Sequence, residues 1–193
     1  MQMPEKFQNM LTGGHPNSLG RTVEVVELVL SDPPRMNELF DCYRSPDEVV
    51  RLRVSNAMRR VQAERPELLL PFLDRLIEEI GCLDQPSAQW TLPKLFAVAE
   101  LDMTPDQKAR AQALVQRNLS EHDDWIVLNN SIEYLAHRAK TNPSLRDWLQ
   151  PHLERLKGET RKSVARRAQR ALTELEKLAG PASEATQVGS DED

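Results

Sequence analysis

The sequence predicts an all-α protein: an α-α superhelix, or α-solenoid, of about four helical hairpins with a short N-terminal helix covering one end. Three observations lead there. Pro66, Pro105, Pro143 and Pro181 recur at intervals of 39, 38 and 38 residues. Counted back from each proline, to within one residue, matching positions carry mostly apolar side chains on one stripe of a 3.6-residue helix. Each interval holds two helical stretches, and a period of about 40 residues with two helices per unit is the pattern of stacked helical hairpins.

The stripe is clearest in residues 46–66, PDEVVRLRVSNAMRRVQAERP, where Val50, Val54, Ala57, Met58 and Val61 follow at spacings of 4, 3, 1 and 3. Pro66 ends the segment, because its ring disfavours helix in the residue before it and suits the first turn of the next one. In register, Val50 matches Ala88, Val127 and Val164, and Val54 matches Leu92, Ser131 and Ala168. Ala57 matches Leu95, Tyr134 and Ala171, while Met58 matches Phe96, Leu135 and Leu172. At the fifth position Val61, Ala99 and Leu175 are apolar and Arg138 breaks the series.

The run VVRLRVSNAMRRV resembles the second helix of a HEAT repeat, in which a Val-Arg pair precedes small and then larger apolar residues. PELLLPFLDRLIEE, with Pro71 inside it, resembles a HEAT first helix. The resemblance covers about residues 33–180. It is close in the first and fourth copies; in the second Gln89 replaces the Arg and Pro93 interrupts the helix, and in the third Leu128 takes the Arg position. It implies a bacterial-type HEAT-repeat solenoid. It implies a shape and a packing mode, and little about function.

Residues 1–17 carry Gly13, Gly14 and Pro16 without a helical stripe, so they are expected to be flexible or loosely docked. A helix over Leu19–Leu30 presents Thr22, Val25, Val26 and Val29 in the register of a second helix and serves as the end cover. The repeat domain spans 18–180, with repeats at about 33–65, 66–104, 105–142 and 143–180. Copy one pairs Pro34–Tyr43 with Pro46–Glu64. Copy two pairs Pro66–Ile80, closed by Gly81 at a C′ position, with Pro86–Glu100. Pro93 marks an irregularity in that second helix, because a proline there removes a backbone donor. Copy three opens on Thr104-Pro105-Asp106, an N-cap, a proline at the first helical position and an acidic residue suited to the helix dipole. It continues from Asp124 to about Lys140. Copy four pairs Pro143–Lys157 with Thr160–Ala179. Residues 181–193, PASEATQVGSDED, are small, polar and acidic and are expected to be disordered.

With 193 residues, one domain with a continuous core is the default. An aromatic fraction of 5% suits helices that bury one face and leave the other wet. With no long apolar run, no membrane span is expected, and MQMPEKFQNMLTGGHPNS lacks the apolar core of a secretory signal. Cys42 and Cys82, without CxxC spacing, read as reduced thiols. The expected location is therefore cytoplasmic. A net charge of −5 argues against bulk affinity for nucleic acid or anionic membrane.

Residues beside the stripe of the second helices are expected to face a groove. In the first copy these are Arg53, Asn56 and Arg60. Their counterparts are Thr91, Lys94 and Val98, then Asn130, Glu133 and His137, then Arg167, Arg170 and Glu174. Such a groove, basic at both ends and mixed in the middle, suits an extended acidic peptide or a partner helix. The bland reading is a solvated face with internal Arg–Glu pairs.

The last helix carries Arg161, Lys162, Arg166, Arg167 and Arg170, spread around more than half its circumference, which keeps phosphate contact as an alternative. A distant resemblance to the HEAT-like DNA alkylation-repair glycosylases rests on Trp90, Trp125, Trp148 and the cluster Asp123-Asp124-Trp125. The Trp-rich segment and following Asp of that family have no counterpart in SAQWTLPKLF, and Asp123 and Asp124 sit where a helix N-cap is wanted. Trp125 and Trp148 are expected to pack between repeats. Glu133 and His137 share a helix face without a third metal ligand at useful spacing. No GxSxG, phosphate loop or Cys–His pairing stands out. No catalytic, cofactor or metal residue is assigned, and the expected role is a non-catalytic protein-interaction scaffold.

Overall fold

The computed structural model describes residues 5–15 and 17–179, and over that range the chain is helical with no strand. The ten α-helices are α1 (Phe7–Leu11), α2 (Thr22–Ser31), α3 (Met36–Asp41), α4 (Glu48–Glu64), α5 (Leu73–Glu78), α6 (Pro86–Ala99), α7 (Pro105–Glu121), α8 (Trp125–Ala139), α9 (Pro143–Lys157) and α10 (Lys162–Ala179). The expected acidic tail, 181–193, lies outside the described residues.

Helix starts follow local chemistry. Asp47 accepts from the Val49 N–H at 2.8 Å, Asp124 from those of Ile126 and Val127, and Asn142 from that of Leu145. Thr104 and Gln107 form a reciprocal capping box at α7. Asp124 is therefore a helix cap.

The periodic stripe is the buried seam. Val50, Ala88, Val127 and Val164 have no solvent exposure, and the three following quartets are all buried. The second helices pack in sequence: α2 on α4, α4 on α6, α6 on α8 and α8 on α10. Arg138, where the pattern breaks, leaves the seam at its edge. Its guanidinium bonds Glu100 Oε1 at 2.6 Å and Gln112 Oε1 at 3.2 Å, tying α8 to the end of α6 and to α7.

First helices one and two are shorter than expected. Pro34–Tyr43 divides into a 3-10 turn Pro33–Arg35, α3 and a second 3-10 turn Cys42–Arg44. Pro66–Ile80 becomes a 3-10 stretch Pro66–Phe72 followed by α5. Pro71 has no N–H to give to an α-helical bond, so the chain tightens there. Gly81 is not a left-handed cap; it lies in the 3-10 turn Ile80–Cys82. Its small size matters for another reason: a Cβ would come within 2.8 Å of Leu114 Cδ2. α6 runs unbroken through Pro93.

Two further expectations, on the N-terminal segment and on Trp125, are overturned. The segment read as flexible forms α1, and Phe7, Met10 and Leu11 join the core. An apolar trio on barely one helical turn was too short a signal to see beside the glycines and proline that follow it. Trp125 does not pack between repeats; it is 48% exposed, because it opens α8 at the surface. Trp148 is partly buried against the core and stacks on His152 at 4.2 Å between ring centroids.

A candidate partner-binding face

Arg53 was expected to line the groove and does not. It is 2% exposed, and its guanidinium donates to the main-chain carbonyls of Leu11, Gly13, His15 and Ser18 at 2.6–3.2 Å. The N-terminal segment crosses α4 at this point and covers it. Gly20 is required for the approach: its φ is +52°, and an added Cβ would stand 3.0 Å from Arg53 Cζ. Arg53 is thus a buried anchor that holds Leu11, Gly13, His15 and Ser18 onto α4.

Asn56 and Arg60, also on α4, line neither of the two hollows between α6, α8 and α10. Arg60 is exposed and donates to Asn56 Oδ1 at 2.7 Å, an internal pair one helical turn apart. Thr91 is buried and gives its hydroxyl to the Ser87 carbonyl.

The remaining predicted residues come together. Lys94, Asn130, Glu133 and His137 line a hollow of about 270 Å³ between α6 and α8, with Pro93, Ala97 and Tyr134 as its apolar surface. Glu133 and His137 also line a second hollow of about 270 Å³ between α8 and α10, with Arg167, Arg170, Glu174 and Lys140 around it. Ile132, Ala136 and Ala171 supply its apolar surface. Asn130 is 8% exposed and spends its amide on the Trp90 carbonyl at 2.7 Å, so it fixes α8 against α6.

Charge on this face is partly neutralised. Arg167 pairs with Glu133 at 2.7 Å and Lys140 with Glu174 at 3.6 Å, all four well exposed. Lys94 and Arg170 have no carboxylate partner among the described residues. Of the basic run at and before α10, Arg161 turns back to Glu159 and to the Asp123 carbonyl and the exposed Arg167 meets Glu133, leaving Lys162, Arg166 and Arg170 exposed without a carboxylate partner among the described residues.

Tyr134 sits beneath the first hollow, 4% exposed. Burial pushes its phenol up to about 12, with the Arg138 charge acting the other way, so it stays protonated. Its hydroxyl has no hydrogen-bond partner among the described residues. The sequence read Tyr134 as seam and missed Pro93 and Ala97 as lining. Their spacing of one helical turn on α6 was the available signal. Near the end of α6 Val98 is 56% exposed, and Leu101, in the turn that follows, is 93% exposed.

Among the described residues no helix is long and apolar enough to cross a membrane. Comparison with known proteins found no matching family model, no matching curated protein and no matching solved structure.

Proposed function

We propose that the chain is a HEAT-type α-solenoid acting in the cytoplasm as a non-catalytic interaction module, with the face of α6, α8 and α10 as its partner-binding surface. The solenoid reading is supported by the serial packing of α2, α4, α6, α8 and α10 and by the buried stripe at equivalent positions in four copies. The observation that carries the function is the gathering of Lys94, Asn130, Glu133, His137, Arg167 and Arg170 around two adjoining hollows. Polar rims around small apolar floors are the anatomy of a protein-binding patch.

The test uses the full-length protein as bait with an amine-reactive cross-linker, since Lys94 and Lys140 flank the two hollows. A partner joined through Lys140, which both proteins keep, and lost from Lys94→Glu/Arg170→Glu, is the expected result. Partners captured equally by wild type and double variant would refute the assignment of this face. A second reading, a nucleic-acid-binding protein, draws on the exposed cations Lys162, Arg166 and Arg170. A mobility-shift titration at two salt concentrations discriminates it, because phosphate contacts make affinity fall steeply with salt.

A further inference from the structure

We infer that the face of α6, α8 and α10 takes an acidic peptide in the polyproline-II conformation, with one apolar side chain in each hollow, three residues apart. This deepens the interaction-module reading and rests on it.

The spacing comes from the helices. The two hollows share Glu133 and His137, so they lie side by side across α8. Packed helices stand about 8–10 Å apart, and one hollow-to-hollow step is of that order. A polyproline-II chain has three residues per turn and rises about 3.1 Å per residue, so side chains at i and i+3 share a face about 9 Å apart. A β-strand does not fit the step: same-face residues recur at about 6.6 and 13 Å. An α-helix reaches it only at i and i+7, at about 10.5 Å. Its intervening turn would then press on the exposed Glu133 and His137 of α8. A polyproline-II segment instead turns its intervening residues out, towards the rims.

The chemistry comes from those rims. Lys94 at the first hollow and Arg170 at the second are the cations without carboxylate partners on this face among the described residues. The acidic groups that face the hollows, Glu133 and Glu174, already meet Arg167 and Lys140. Incoming carboxylates therefore find two uncompensated positive charges. The floors are apolar and small: Pro93 and Ala97 with the Tyr134 ring in one, Ile132, Ala136 and Ala171 in the other. Small floors of this size suit one aliphatic side chain each.

The probe is the fluorescein-labelled peptide EPLEPLEP, titrated by anisotropy against the full-length protein. Its controls are KPLKPLKP, a version with the second leucine moved by one residue, and a helical Ala/Glu peptide with leucines seven apart. The acidic peptide is expected to bind, to weaken at high salt, and to lose about tenfold in affinity on moving the leucine. Lys94→Gln and Arg170→Gln, checked as folded by circular dichroism, are each expected to weaken it similarly. Equal binding of the lysine peptide, indifference to the leucine position, or preference for the helical peptide would each overturn the inference. So would binding that appears only after Glu184, Asp191, Glu192 and Asp193 are neutralised, since the chain's own acidic residues would then be the occupant. If no probe binds while a cross-linked partner still depends on Lys94 and Arg170, the peptide class fails and the face stands. If that dependence is also absent, both fail.

Discussion

Arg53, Asn130 and Arg167 hold matching places beside the apolar stripe on α4, α8 and α10 and do three different things. Arg53 is buried under the N-terminal segment, Asn130 bonds across to α6, and Arg167 stands in solvent paired with Glu133. Removing Arg53 leaves four carbonyls without their charged donor. Arg53→Ala is expected to cost about 3 kcal/mol in urea denaturation, with hydrogen exchange rising first over residues 7–20. Arg53→Lys is expected to rescue little, because an ammonium lacks the planar fork. Ser131 offers the opposite case: its hydroxyl is buried without a partner among the described residues. Ser131→Ala is expected to be neutral or to stabilise by up to about 1 kcal/mol in the same melt. His152, stacked on Trp148, has its imidazole pKa lowered by burial and by Arg155. The folded state therefore resists the proton that the unfolded chain takes up, so stability falls as pH drops below the usual imidazole range. Denaturation of His152→Gln at neutral and mildly acidic pH is expected to show a smaller drop than wild type.

At the scale of the element, helix ends were more legible than helix interiors. Thr104 and the Asp123-Asp124 pair were readable as caps, because a side-chain acceptor at that place satisfies otherwise orphaned N–H groups whatever lies elsewhere. Asp124→Ala is expected to destabilise by about 1 kcal/mol in thermal denaturation, as one carboxylate oxygen serves two N–H groups. The first helices were less legible. Pro71 was visible, but whether the chain absorbs it by a kink or by a switch to 3-10 geometry depends on what it packs against. α1 escaped notice because five residues give periodicity almost nothing to act on. Its helix is held by its burial and by the carboxylate of Glu38, which accepts from the Phe7 N–H at 2.7 Å from 31 residues away.

Across the whole molecule, the seam couples each second helix to the next. Leu95 is fully buried on α6, between α4 and α8. Leu95→Ala is expected to cost about 3 kcal/mol by cavity formation. Its effect on hydrogen exchange should spread to α4 and α8 before α2 or α10. A uniform rise over all helices would show that the chain opens only as one unit. The candidate face was legible in part at this scale. Lys94, Glu133, His137, Arg167 and Arg170 could be named from register alone, since they flank the seam. The hollows between them could not, because a hollow is a relation between two helices.

What the sequence determined by itself was the helical class, the buried seam and the caps at Thr104 and Asp124. Those follow from contacts within a few residues and from a period that each helix carries internally. Only the tertiary structure decided which polar side chains beside the seam meet solvent. Arg53 and Arg167 have equivalent local settings, and the difference between them is a segment 35 to 42 residues away whose carbonyls cover one and not the other. Hydrogen-bond satisfaction of a buried charge is non-local, so no reading of neighbouring residues could have separated the two.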